Sequence, residues 1–263
     1  MFQAVRALAV ASLIVAAAPP VFAQQPLADP PTTPQFLSRF DFYLWANALG
    51  SDDQRFAWDT HWVGDFDFID YVDGRLTFLA DYQALLGDEF RPFDPYQSNY
   101  YLAVSGSVRR GADEFALVVH HVSRHLGDRP KRDSVAMNAV LGRYLRRIEL
   151  DGATLDVKAD LGPVVERAWV DYTWIGNGEL VLRRAVSNTL GMYGRAFGQT
   201  IWVDESIAGR GQQWGVRLEA GVRLAGSAGA IELFAGFERM IDADPLDRIT
   251  RQWAVAGFRL TGR

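Results

Sequence analysis

Apolar and polar residues alternate with a period of two through most of this chain. From Trp214 to Leu224 every even position is apolar, while the odd positions carry Arg217, Glu219 and Arg223. Alternate residues of a strand share a face, so such a run suits lipid on one side and water on the other. After Gly226-Ser227-Ala228-Gly229 the alternation resumes, with Ile231, Leu233, Ala235 and Phe237 set against Glu232 and Glu238. The two runs therefore predict a hairpin on a tight turn. Near the start, Phe40, Phe42, Leu44, Ala46 and Ala48 alternate with Arg39, Asp41, Tyr43, Trp45 and Asn47. Further strands are expected at 55–63, 75–87, 97–109, 113–125, 134–149, 152–161, 164–174, 178–186, 190–203 and 251–260, with 65–71 as an optional addition.

That pattern predicts an all-β chain, an antiparallel transmembrane β-barrel of about 12–14 strands with twelve favoured. After residue 23 no apolar stretch approaches the ~20 residues of a transmembrane helix, so a membrane crossing requires a closed barrel. Aromatic residues make up 13% of the chain. Many lie toward run ends (Trp62, Tyr82, Tyr100, Tyr101, Trp174, Trp202, Trp214, Trp253), where interfacial girdles are expected. A soluble secreted sandwich or lipocalin-like barrel would also alternate, but the number and length of the runs favour the membrane form. The last strand, Trp253 to Leu260, resembles the aromatic C-terminal strand by which barrel proteins are recognised for insertion, with Phe258 near its end and Thr261-Gly262-Arg263 following.

The start of the chain sets the compartment. Arg6, an apolar run over 7–18 and Val21-Phe22-Ala23 before Gln24 build a secretory signal peptide over 1–23. Residues 24–35, with Pro26, Pro30, Pro31 and Pro34, are expected to be a disordered lead-in, and 36–263 one barrel domain. The expected location is the outer membrane of a Gram-negative bacterium. There is no cysteine, so stability comes from packing and backbone pairing. With 27 Lys and Arg against 32 Asp and Glu, scattered throughout, nucleic-acid binding is excluded. Arg39, Asp41, Arg217, Glu219 and Arg223 should line the lumen as either a plugging ion-pair network or an open pore, which defines a non-enzymatic alternative: a structural or small-solute channel barrel.

Three of the four histidines fall in His120-His121-Val122-Ser123-Arg124-His125-Leu126-Gly127-Asp128. In a strand His121, Ser123 and His125 continue the face of Phe115, Leu117 and Val119. An imidazole two residues from a hydroxyl on one face can act as general base for a serine nucleophile. If the loop 126–133 is centred near Arg129-Pro130, antiparallel pairing sets Asn138 opposite His121 and in parity with Val140, Gly142 and Tyr144. Asp128 and Asp133 are alternative acceptors. A metal reading of His120, His121, His125 and Asp128 requires two faces of one strand to converge. His61, with Asp59 and Arg55, is expected in a solvated lumen network. Arg129, Lys131 and Arg132 could meet anionic headgroups or lipopolysaccharide phosphates, or simply form a charged loop tip. Loops 88–96 and 126–133 and loops 204–210 and 241–250 should share one end, yet five candidate strands separate the two sets, so one strand between 134 and 203 is miscounted.

His121-Val122-Ser123 on an outward-facing strand resembles the catalytic strand of outer-membrane phospholipase A and of the lipid A deacylase barrel. The longer string from His121 to Asp128 is similar to an exported bacterial family of unknown function that carries H-x-S-S-H-L-G-D, with Arg124 where that motif has Ser. The phospholipase pattern continues His-x-Ser-Asn-Gly, from which Arg124-His125 departs. The resemblance implies a serine ester hydrolase acting on envelope lipids, phospholipid or lipid A, with Ser123 as nucleophile, His121 as base and an Asn such as Asn138 orienting the imidazole. By resemblance only, it also brings calcium as a cofactor, and outer-membrane lipids or lipopolysaccharide as partners. A homodimer is carried as a further candidate assembly.

Overall fold

A computed structural model describes residues 24–27, 30–130 and 133–262. Twelve strands run β1 (Gln35–Leu49), β2 (Trp58–Asp70), β3 (Arg75–Gly87), β4 (Asp94–Arg110), β5 (Asp113–Leu126), β6 (Val135–Leu150), β7 (Ala153–Ala168), β8 (Tyr172–Ala185), β9 (Leu190–Val203), β10 (Gln213–Ala225), β11 (Gly229–Asp244) and β12 (Ile249–Gly262). Each pairs antiparallel with its chain neighbours, and β12 pairs with β1 to close the barrel. Closure leaves no sheet edge, the condition for strands to cross a bilayer. The chain is a transmembrane β-barrel of the bacterial outer-membrane class, with lipid outside and a packed lumen.

The faces follow the alternation. On β5, Leu117 is 62% exposed and Val119 55%, while Val118 between them is 0% exposed. On β10, Trp214, Leu218, Val222 and Leu224 face out, and Arg217 and Glu219 are buried in the lumen. An exterior of this composition is stable only against acyl chains. Of the expected girdle, Trp62, Tyr100, Trp174, Trp202 and Trp214 are exposed, all toward one end. Tyr101 and Trp253 are instead buried inside: the Tyr101 hydroxyl donates to Gln83 Oε1 at 2.9 Å and Trp253 Nε1 to Glu238 Oε2 at 3.1 Å. Their odd positions on β4 and β12 decide this, whatever their chemical type.

The connections alternate between two ends, and the three longest share one of them. One end carries 50–57, 88–93, 127–134, 169–171, 204–212 (with the short helix α1, Glu205–Ala208) and 245–248, and the other carries 71–74, 111–112, 151–152, 186–189 and 226–228. Two of the short turns rest on glycines at positive φ, Gly111 at 62° and Gly152 at 70°, as two-residue hairpins require. Long loops mark the extracellular end of such barrels. The miscounted strand is found in β7, which runs unbroken through Gly162-Pro163 where the sequence predicts two strands, 152–161 and 164–174. Likewise 65–70 belongs to β2, and residues 55–57 lie in the loop before it.

Ion pairs fill much of the lumen, and a recess lined by Tyr101, His120, Val122, Asp160 and Phe197 remains toward the long-loop end. Arg217 donates to Glu219 at 2.7 Å and Asn47 at 2.9 Å, and lies 3.3 Å from Glu238 and 3.5 Å from Asp59. Arg259 meets Glu219 at 2.9 Å and Glu232 at 2.7 Å, Arg223 meets Glu232 at 2.8 Å, and Arg39 bridges Asp41, Asp65 and Asp67. His61 is fully buried, stacked on Trp45 at 3.7 Å between Asp81 and Asp59, with ring nitrogens 2.8 and 3.2 Å from them. It therefore sits in a packed network, not a solvated one, while Arg55 pairs with Asp53 and Asp244 in the loop region. Part of the proline-containing lead-in is also held inside: Gln24 Nε2 donates to Glu114, its Oε1 accepts from Ser105, both at 2.8 Å, and Arg75 donates to the Gln25 carbonyl at 2.6 Å. The signal peptide expected over 1–23 lies outside the described residues.

Candidate functional site

The histidine-rich segment forms the extracellular end of β5. His121, Ser123 and His125 lie on the outer wall in line with Phe115, Leu117 and Val119, and His120, Val122 and Arg124 turn inward. Pairing across the long 127–134 loop sets His121 opposite Asn138 and Ser123 opposite Ala136 on β6, with Leu102 and Tyr100 opposite them on β4. The register is the one expected from the loop centre. Asn138 shares the outer face with Val140 and Tyr144, because Ala139, Leu141 and Arg143 are buried in the lumen.

Residues directly opposite on a strand pair are close enough for side chains to bond. His121 Nδ1 lies 2.7 Å from Asn138 Oδ1, and Asn138 Nδ2 donates to Glu166 Oε2 at 2.6 Å. A carboxylate only accepts, so the amide nitrogen faces Glu166 and the amide oxygen faces His121. Nδ1 of His121 then carries a proton, and in the neutral ring Nε2 is left as the acceptor. That is the tautomer a general base beside a hydroxyl needs. Ser123 follows two residues along the same face. Its β6 neighbour is only Ala136, so little bulk stands on that side of the hydroxyl.

Glu166 is absent from the sequence expectations. On β7, Asp156, Lys158 and Asp160 face the lumen, and strict alternation would send Glu166 there too. Instead the β6–β7 register shifts between Asn138 and Ala139, whose partners are Glu166 and Val164. Val165 is the extra residue of a β-bulge, and it re-aims the strand so that Glu166 emerges on the outer face. Bulges are not legible from period alone. The nearest signal was Gly162-Pro163, since Pro in a strand marks an edge or an irregularity.

The other expected residues do not join this unit. Asp128 accepts from Arg91 Nη2 at 2.7 Å in the neighbouring loop. Asp133 lies with Arg124, His125 and Leu126 around a small recess behind the loop. The His125 ring stands edge-on to Tyr100 at 5.6 Å, completing an outer row in which Tyr100 meets Tyr82 at 5.2 Å and Tyr82 meets Trp62 at 5.5 Å. Arg124, at the position where the H-x-S-S-H-L-G-D string has its second Ser, points into the lumen and donates to the carbonyl of Asp242 at 2.7 Å and to Gln97 at 3.0 Å. Arg129 is folded inward, bonded to Glu89 at 2.5 Å and Asp94 at 2.7 Å, so it is not a free phosphate ligand. Lys131 and Arg132 lie outside the described residues.

The metal reading fails on geometry. His120 and His121 face opposite sides of the wall, and Asp128 is turned to Arg91. Among the described residues no group of three His, Asp or Glu side chains gathers as a metal site.

No protein-family model and no curated protein matches the sequence. Among solved structures, the chain is similar to an active-site mutant of outer membrane phospholipase A from Escherichia coli, at 11% identity and a TM-score of 0.50, covering 89% of this chain and 93% of that one. It is also similar to the outer membrane protein Omp33 of Acinetobacter baumannii, at 12% identity and a TM-score of 0.41, covering 85% and 97%. A third is the translocator domain of the autotransporter NalP from Neisseria meningitidis, at 8% identity and 0.37, covering 84% and 88%. The first of these likenesses extends over nearly the whole barrel and supports the fold.

Proposed function

We propose that this barrel is a serine ester hydrolase that cleaves acyl esters of envelope lipids, phospholipid or lipid A, from its outer wall. The observation that carries the reading is the His121–Asn138 hydrogen bond on the lipid-facing side of the strand that presents Ser123. In the reaction, Ser123 Oγ attacks the acyl carbonyl while His121 Nε2 takes the hydroxyl proton. Collapse of the tetrahedral intermediate expels the lipid alcohol, which leaves with the proton from His121. Water, deprotonated by the same imidazole, then releases the fatty acid and restores Ser123. Asn138 holds the ring and stabilises its protonated form.

Placement supports the substrate class. The apolar stripe of Leu117, Val119 and Leu102 offers an acyl chain a lipid-facing path, and the row Tyr100, Tyr82 and Trp62 stands at headgroup depth, where aromatic girdles lie. The likeness to a phospholipase barrel and the shared H-x-S string agree with it. The test is fatty-acid release from phospholipid or lipid A micelles by detergent-solubilised protein, with and without calcium. Release that survives unchanged in Ser123→Ala would overturn the assignment. A second reading, a non-enzymatic structural barrel, is favoured by the ion-paired lumen.

A further inference from the structure

Glu166 is an exposed carboxylate on the outer wall, two residues from the extracellular end of β7, and among the described residues no cation pairs with it. Its partner is an amide, Asn138, whose other end binds His121. The backbone departs from regular pairing to make this contact: without the Val165 bulge, Val165 would oppose Asn138 and Glu166 would turn into the lumen beside Met137. A strand irregularity that turns a carboxylate onto the outer wall, and aims it at the residue holding a histidine, has the form of a positioning device.

We propose that Glu166 is a positioning residue of the hydrolytic site, acting on His121 through Asn138; the proposal rests on the hydrolase reading. Two effects follow from its chemistry. By accepting from Nδ2 it locks the amide in the one orientation that offers Oδ1 to His121, so the ring keeps its proton on Nδ1 and leaves Nε2 as the acceptor. When the ring takes the Ser123 proton and becomes positive, the carboxylate beyond the amide polarises Asn138 and stabilises the imidazolium. Asn138 and Glu166 together do what a carboxylate alone does beside the histidine of a Ser-His-Asp triad. The contrasting role is a structural staple that pins β6 to β7 at the bulge.

The experiment compares wild type with Glu166→Gln, Glu166→Ala, Asn138→Ala and the Asn138→Ala/Glu166→Ala double variant. It measures kcat and KM for fatty-acid release from mixed phospholipid–detergent micelles, and labelling of Ser123 by a fluorophosphonate probe. Heat-modifiable gel migration reports that each variant is folded. Glu166→Ala should lower kcat and the labelling rate about tenfold while KM stays within about twofold. Glu166→Gln should fall between it and wild type, because its amide oxygen still accepts from Asn138 but carries no charge. The double variant should be no slower than Asn138→Ala alone, since Glu166 acts only through Asn138. An active wild type with unchanged Glu166→Ala kinetics, or losses that multiply in the double variant, overturns the positioning role and leaves the hydrolase reading standing. A wild type that neither labels nor releases fatty acid removes both.

Discussion

Asn138 Oδ1 lies 2.7 Å from His121 Nδ1 across the β5–β6 ladder, on the face that meets lipid. This pair gives the catalytic assignment its most direct test. Ser123→Ala or His121→Ala should each reduce fatty-acid release by about a thousandfold or more, and the two together no further, because members of one catalytic unit fail together. Asn138→Ala should cost less, about ten- to a hundredfold. Initial rates on solubilised, heat-modifiable protein check the series.

Asp128 belongs to the motif string but is bonded to Arg91 between loops. Asp128→Asn should therefore leave kcat within about twofold of wild type, as expected for a surface ion pair remote from the chemistry. A loss as large as that of Asn138→Ala would return Asp128 to the orienting role and refute the present register.

Arg217 holds Glu219, Glu238 and Asp59 together at the centre of the lumen. Removing one partner of a buried ion-pair set leaves uncompensated charge, so Arg217→Ala should destabilise the barrel by about 3–5 kcal/mol. The readout is a lower temperature for the heat-modifiable shift. The same network should block ion flow: wild type in planar bilayers is expected to give no stable conductance, and steady channels would favour the solute-channel reading.

Acid should loosen the extracellular mouth. In the β7–β8 loop, burial pushes the Asp171 carboxyl upward, but hydrogen bonds and charge from Arg210 outweigh it and hold it below its ordinary 3.8. A carboxylate lowered in the fold contributes stability that is complete above 3.8 and drains away as pH falls through the folded value. Arg210 also joins Asp171 to Asp242 at the end of β11, with 2.7 Å contacts to each. Amide hydrogen exchange of 204–212 should therefore accelerate as pH drops below about 4, after correction for intrinsic rates. Asp171→Asn should remove part of that dependence. A flat profile in wild type would sink the argument.

The faces of the strands were readable because a period of two survives any error in strand ends: Arg217 inward and Leu218 outward follow from parity alone. Parity also placed Asn138 with His121, since a loop centre and a count suffice when pairing is regular. The reading failed where regularity stops. The gap at Gly162-Pro163 between the predicted strands 152–161 and 164–174 splits β7 in two and sets the two groups of loops at opposite ends; the ladder to β8 instead continues through the proline, with Pro163 opposite Trp174. Two residues later the Val165 bulge exchanges the faces, and with it Glu166 was invisible. Tyr101 and Trp253 were assigned to the girdle by residue type, while their parity already pointed inward. The polar neighbours of His61 suggest water around it, but Trp45 stacks on its ring at 3.7 Å and excludes solvent.

A reactive serine on the outer wall, beside a lumen closed by ion pairs and by Gln24, would never sample its substrate from bulk solution. Encounters would occur by lateral diffusion in two dimensions, and occupancy would follow the mole fraction of substrate in the surrounding leaflet. Diluting the lipid with inert detergent at constant total substrate should then slow turnover, whereas adding aqueous volume at constant micelle composition should leave the turnover of the incorporated protein unchanged.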